Sequence, residues 1–222
     1  MATDPSPRYS VALFDLDGTL CDPGTGIIDA VRHALEQVGI REDDAAVLNG
    51  FVGPPLEHSL RDGYDLAPAQ VARAVAAYRE HYAAFGMVQY RPYPGITDVL
   101  HDLSDEGIRL GVVTAKAQPI AEQALRRTEL IDQFEHVAGR DPDVVVVKTV
   151  TLRKALAVMG CAPGETVMIG DRKHDVHAAR DNRIDSIGVL YGYGSRDELV
   201  QAGATHLAES PASVPALVLG RA

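Results

Sequence analysis

Two aspartates one residue apart, Asp15 and Asp17, close an apolar run and are followed at once by Gly18 and Thr19. Such a run predicts a buried strand over Val11–Phe14, with the carboxylates presented at its C-terminal edge. Alternation along a strand sends residues i and i+2 to the same side, so Asp15 and Asp17 are expected to share one site. Two carboxylates held together repel unless a cation or a proton sits between them. Mg²⁺, which takes a few oxygen ligands and keeps several waters, suits such a pair. Gly18 permits unusual backbone angles or a close approach by a ligand. Asp and Gly are also ordinary turn residues, so on its own the segment fits a polar turn as well.

Three more apolar runs end in polar residues. After Gly111–Val113 come Thr114, Ala115 and Lys116, whose hydroxyl, backbone amide and ammonium suit an anion at the start of the next helix. A helix-capping Thr beside a surface Lys accounts for the same residues. Lys148 follows the run Val144–Val147 and is read two ways. It is either the first solvated residue past a buried segment, or a point charge that neutralises a bound phosphate and the Asp15 carboxylate. The run Thr166–Gly170 leads into Asp171 and Asp175, which can reach one cation from the strand end and from the following helix start. Acidic residues are also favoured at helix N-termini for dipole reasons.

The elements that must position these groups alternate. Strand-like runs recur at Val11–Phe14, Leu110–Thr114, Thr166–Gly170, Ser186–Leu190 and, more weakly, Thr205–Ala208. Helical patterns lie between them at Ile96–Glu106, Pro119–Thr128, Thr149–Met159 and His174–Asn182. The alternation predicts an α/β fold, a doubly wound parallel sheet covered on both faces. Such folds place ligands beyond the carboxyl ends of their strands. The segment Asp22–Pro92 breaks the rhythm and offers no convincing strand. Gly26–Val38, Pro55–Gly63 and Pro68–Phe85 read as helices, the last with Val71, Val75, Tyr78 and Tyr82 on one stripe. Pro92, Pro94 and Gly95 mark the return to alternation. The expected organisation is a core of residues 1–20 and 93–222 and a helical cap of residues 21–92, placed to act as a lid.

Composition bounds the function. The 222 residues are 46% apolar and 23% charged, as in an ordinary globular protein. A net charge of −10 argues against a nucleic-acid polymer as partner, which needs a basic surface. It leaves a phosphate site open, because a local cation reverses the field there. Cys21 and Cys161 form no disulfide framework, so a reducing cytoplasm is expected, and Cys21 reads as a small apolar filler. Met1 to Arg8 reads as a short polar tail rather than a signal peptide, and no apolar stretch approaches a membrane span.

Taken together, Asp15-Leu16-Asp17-Gly18-Thr19-Leu20, Thr114, Lys148 and Gly170-Asp171 with Asp175 resemble, in order and spacing, the four motifs of the haloacid dehalogenase superfamily, in its phosphatase branch. The resemblance runs from Tyr9 to about Leu207, and the helical insertion looks like that family's four-helix cap on a Rossmann-like core. Gly53-Pro54-Pro55-Leu56 and Arg91-Pro92-Tyr93-Pro94-Gly95 look most like phosphoglycolate-phosphatase-like proteins, with bacterial cytosolic 5′-nucleotidases nearest. Ala115 stands where Ser or Asn is common, and Thr149 where Pro often follows the Lys.

The resemblance implies a nucleophile at Asp15 and a general acid and base at Asp17. It implies Mg²⁺ held by Asp15, the backbone carbonyl of Asp17, Asp171 and Asp175, and phosphoryl oxygens bound by Gly18, Thr114, Ala115 and Lys148. It points to hydrolysis of a nucleoside 5′-monophosphate, with phosphoglycolate or a sugar phosphate (phosphatase or mutase) as alternatives and non-enzymatic binding of a phospho-ligand less favoured. A dehalogenase lacks the second Asp. Residues 21–92 contain no Lys, as the family's imine-forming phosphonate hydrolase would require, and Asp22–Gly26 lacks the basic pair of mutases. Selectivity is expected from the cap, particularly the loop Phe51–Glu57 with Pro54, and from the nearby His58 and Arg61. The expected partner is a small phosphorylated metabolite, with no membrane, and the chain acts as a monomer or homodimer.

Overall fold

The computed structural model describes residues 7–141 and 147–221. Most of the Met1–Arg8 tail and Val144–Val146 of the valine run lie outside the described residues; Arg8 itself pairs with Asp185 at 3.4 Å. The chain runs through β1 (Val11–Phe14), β2 (Cys21–Asp22), α1 (Gly26–Glu36), α2 (Ala45–Asn49), α3 (Leu56–Tyr64), α4 (Pro68–His81), β3 (Arg91–Pro92), α5 (Ile96–Asp105) and β4 (Arg109–Ala117). It continues through α6 (Gln118–Arg127), β5 (His136–Arg140), α7 (Lys148–Met159), β6 (Thr166–Gly170), α8 (Lys173–Asp181), β7 (Asp185–Val189), α9 (Arg196–Ala202), β8 (His206–Ala208) and α10 (Val214–Leu219).

Six strands form one parallel sheet in the order β5-β4-β1-β6-β7-β8. The alternation of β1 divides its side chains between the two faces. Ala12 and Phe14 join Leu100 and Leu103 of α5, Leu125 of α6 and Val218 of α10. Val11 and Leu13 join Leu152 and Ala155 of α7 and Ala178 and Ala179 of α8. Leu13 and Phe14 are fully buried, each worth roughly 1.5–3 kcal/mol of transfer free energy. Burial on both faces explains why β1 and β6 read as unbroken apolar runs.

Helices α1 to α4 bury a separate cluster, with Ile27, Val31 and Leu35 of α1 against Leu60 of α3 and Val71 and Val75 of α4. This segment contains β2, paired antiparallel to β3 through Cys21–Pro92 and Asp22–Arg91, where no strand was expected. Two-residue strands carry no periodicity to read. After α4 the chain widens into a π-helical turn over Tyr82–Gly86. Among the described residues, no helix is long and apolar enough to cross a membrane.

Candidate active site

The parallel pairing brings the ends of β4, β1 and β6 to one edge of the sheet. Phe14 is level with Val112 and Ile169, so Asp15, Thr114 and Asp171 all lie within two residues beyond that level. Strand β1 stops at Phe14. Asp15 through Cys21 turn back on themselves, with Cys21 N–H donating to Leu16 O at 2.9 Å and Gly18 N–H to Cys21 O at 2.8 Å. The pleat therefore does not set the directions of Asp15 and Asp17, and their carboxylates take different partners.

Asp15 turns toward Asp171 and Asp175. One carboxylate oxygen from each lies within 4.8 Å of the others, and all three residues are buried. Lys148, at the start of α7, places its Nζ 2.7 Å from Asp15 Oδ2 and 2.5 Å from Asp175 Oδ1. Backbone amides orient the set: Leu16 N–H donates to Asp15 Oδ1 (2.7 Å), Arg172 N–H to Asp175 Oδ2 (3.0 Å) and Tyr193 N–H to Asp171 Oδ2 (2.8 Å). Burial pushes the Asp15 and Asp171 carboxyls above the usual carboxylate range, helped by their acidic neighbours; Lys148 pulls Asp15 back. Burial also works to lower the pKa of the Lys148 ammonium, but Asp15 and Asp175 outweigh it and hold it above the ordinary lysine value.

Of the three buried carboxylates, Asp15 and Asp175 share the Lys148 ammonium. The all-oxygen donor set and unbalanced negative charge of the three fit a hard divalent cation. Asp17 adds no carboxylate to this group; a contribution from Asp17 is left to its backbone carbonyl. Gly18 has φ of 83° and packs so closely that an added Cβ would overlap the Asp171 carboxylate. Gly18→Ala is expected to cost roughly 1–2 kcal/mol of backbone strain and to displace Asp171. Calorimetric titration with Mg²⁺ should then show affinity at least tenfold weaker; unchanged affinity contradicts this placement of Asp171.

Asp17 faces the helical segment instead. Its Oδ1 accepts from Tyr90 Oη at 2.8 Å, and its Oδ2 lies 3.0 Å from Lys116 Nζ. Lys116 is partly buried, donates to Tyr82 Oη at 3.0 Å and stands over the rings of Tyr82 and Tyr90. Burial works against its charge, but Asp17, Tyr82 and Tyr78 together raise its pKa above the ordinary lysine value. It is no surface residue: β4 extends to Ala117, and the Lys116 side chain is only 8% exposed. Thr114 is buried, and its Oγ1 accepts from Lys116 N–H at 3.2 Å. Cys21 is buried, which pushes its thiol up to about 12, with Asp17 adding to the shift; it fills space.

A cavity of about 320 Å³ opens between the sheet edge and helices α1, α3 and α4. Asp17, Ala115 and Lys116 line one part of it, and Ile27, Phe51, Val75 and Ile120 supply apolar wall. Pro54 lines it, whereas His58 and Arg61 do not: Arg61 is exposed, one helical turn beyond Glu57, which does line it. Arg172 ties the two parts together, donating from Nη1 to Val52 O at 2.5 Å and from Nε to Glu198 Oε1 at 2.9 Å. Tyr90 and Arg140 carried no sequence signal of their own, whereas Glu57 and Arg172 stood within segments the sequence singled out and Lys116 was read there as a cation suited to an anion.

Comparisons with known proteins agree with this geometry. The profile described as haloacid dehalogenase-like hydrolase matches residues 12–189. A 5′-nucleotidase from Pseudomonas aeruginosa is 38% identical over 204 residues, covering 91% of this chain and 92% of that protein. Tyrosine-protein kinase PtkA from Mycobacterium tuberculosis is 37% identical over 205 residues, covering 92% of this chain and 70% of that protein. The crystal structure of a predicted phosphatase from Clostridium acetobutylicum superposes with a TM-score of 0.92 at 36% identity, covering 96% of this chain and 99% of that one.

Proposed function

The chain belongs to the haloacid dehalogenase-like hydrolases and is a phosphomonoester hydrolase, and from that premise we propose that it is an Mg²⁺-dependent phosphatase working through an aspartyl phosphate on Asp15. The supporting observation is the convergence of Asp15, Lys148, Asp171 and Asp175 at the sheet edge, with Asp17 in a cavity wall beside them.

Asp15 Oδ attacks phosphorus, and the bond from phosphorus to the ester oxygen breaks. Asp17 gives its proton to the departing alkoxide. In the second step Asp17 takes a proton from water, the water oxygen attacks phosphorus, and the bond to Asp15 breaks to restore the carboxylate. Lys116 and Tyr90 hold the Asp17 carboxyl in place for both proton transfers. Lys148 and Thr114 bind phosphoryl oxygens, and Lys148 also favours the ionised form of Asp15 and orients it. Bound at Asp15, Asp171 and Asp175, Mg²⁺ would neutralise negative charge where an anionic nucleophile meets an anionic ester.

Nucleoside 5′-monophosphates are the proposed substrates. Support comes from the relative named 5′-nucleotidase and from a mostly apolar cavity far larger than a glycolate leaving group requires. Helices α1 to α4 act as the cap, and the protein works in the cytoplasm. A relative named as a tyrosine kinase differs in the acceptor of the phosphoryl group, so release of inorganic phosphate with water as sole acceptor separates the two activities. Asp17→Asn is expected to lower kcat/KM for a nucleoside monophosphate by about 100-fold or more. The loss should be smaller for p-nitrophenyl phosphate, whose leaving group needs no proton. Equal losses on both esters contradict the acid role of Asp17.

A further inference from the structure

At the part of the cavity lined by α3 and β5, three charged residues meet. Glu57, the second residue of α3, places Oε1 3.6 Å from Arg140 Nη2 at the end of β5 and 3.5 Å from Arg79 Nη2 on α4. Glu57 and Arg140 are nearly closed to solvent, with side-chain exposures of 12% and 11%. The other Glu57 oxygen, Oε2, is buried and has no hydrogen-bond partner among the described residues. All three residues line the same cavity as Lys116 and Asp17. A carboxylate buried with one oxygen unsatisfied is costly to keep, and it adds nothing to the phosphoryl site. Its effect falls on whatever occupies the cavity.

Arg79 and Arg140 are the groups that would receive a second anion on a substrate, since guanidinium binds carboxylate and phosphate well. Glu57 already occupies them from the wall. A leaving group with its own carboxylate or phosphate would have to displace Glu57 or stand beside a like charge at low dielectric. A neutral leaving group meets no such penalty. Selection by a built-in repulsion of this kind separates ligands whose attractive contacts are otherwise the same.

We propose that Glu57 is the specificity-determining residue of this cavity, excluding leaving groups with a second negative charge by holding Arg79 and Arg140. This rests on the reading of the site as a phosphatase centre.

The test is a matched pair of esters on one carbon skeleton: glycerol 3-phosphate, with a neutral leaving group, and 3-phosphoglycerate, which carries a carboxylate in place of a hydroxymethyl group. Wild-type protein with Mg²⁺ should favour glycerol 3-phosphate in kcat/KM by about tenfold or more. Glu57→Gln keeps the shape and removes the charge. It should erase at least tenfold of that preference, through a lower KM for 3-phosphoglycerate, with glycerol 3-phosphate little changed. Arg140→Gln leaves Glu57 less compensated and should move the preference the other way, which a general loss of folding would not do. Where turnover of either ester is too slow, the ratio of inhibition constants against p-nitrophenyl phosphate reads the same selectivity. The proposal is overturned if wild-type protein prefers 3-phosphoglycerate or if neither variant moves the ratio. Wild-type protein that releases phosphate from no phosphomonoester overturns the phosphatase reading itself, and this inference with it.

Discussion

Replacing Asp15 with Asn is expected to lower kcat by about 10⁴-fold or more, because the amide cannot form the covalent bond to phosphorus. Stability should change little. The substitution is isosteric, the Leu16 N–H keeps an oxygen to donate to, and Lys148 keeps Asp175 as partner. One of three mutually repelling carboxylates is removed at the same time. A melting temperature within a few degrees of wild type, together with collapsed turnover, assigns Asp15 to chemistry rather than to folding. Near-normal phosphatase activity in Asp15→Asn would exclude the covalent route.

Removing Mg²⁺ with a chelator is expected to abolish turnover and to lower the melting temperature. Asp15, Asp171 and Asp175 are buried together and Lys148 pairs with two of them, Asp15 and Asp175, so a divalent cation binds the folded chain far better than the unfolded one. At 100 times its dissociation constant such a ligand adds about 2.7 kcal/mol to stability. At roughly 2–4 °C per kcal/mol for a chain of this size, the melting temperature should rise by about 5–11 °C. Asp171→Asn should remove most of that rise, since Asp171 lies in the acidic group without pairing to Lys148. A melting temperature indifferent to Mg²⁺ in the wild-type protein would mean that these carboxylates hold no cation.

Much of the fold and part of the site were legible in the sequence, for reasons that differ between residues. Val11–Phe14 and Thr166–Gly170 read as strands because they are buried on both faces and show no polar interruption. The edge strand His136–Arg140 did not, since only Ala138 in it is buried and two of its five residues are charged or titratable. Asp15 and Asp171 could be grouped from sequence because each follows an apolar run and parallel pairing brings the ends of β1 and β6 together, while Lys148 and Asp175 join them from the first turns of α7 and α8. The separate partners of Asp15 and Asp17 could not be read there, because they arise from the turn after β1 and from residues far along the chain, Tyr90 and Lys116. The loop Phe51–Glu57 was expected to set selectivity, together with the nearby His58 and Arg61. The direction of α3 separates them, carrying Glu57 to the cavity and leaving Arg61 in solvent.

The covalent role of Asp15 is tested most directly by trapping. Protein mixed with excess phosphomonoester and Mg²⁺, quenched in acid and reduced with borohydride, should yield a peptide in which residue 15 has become homoserine, the reduction product of an acyl phosphate. An unmodified Asp15 in protein that was turning over substrate, or phosphate found on another side chain, would contradict it.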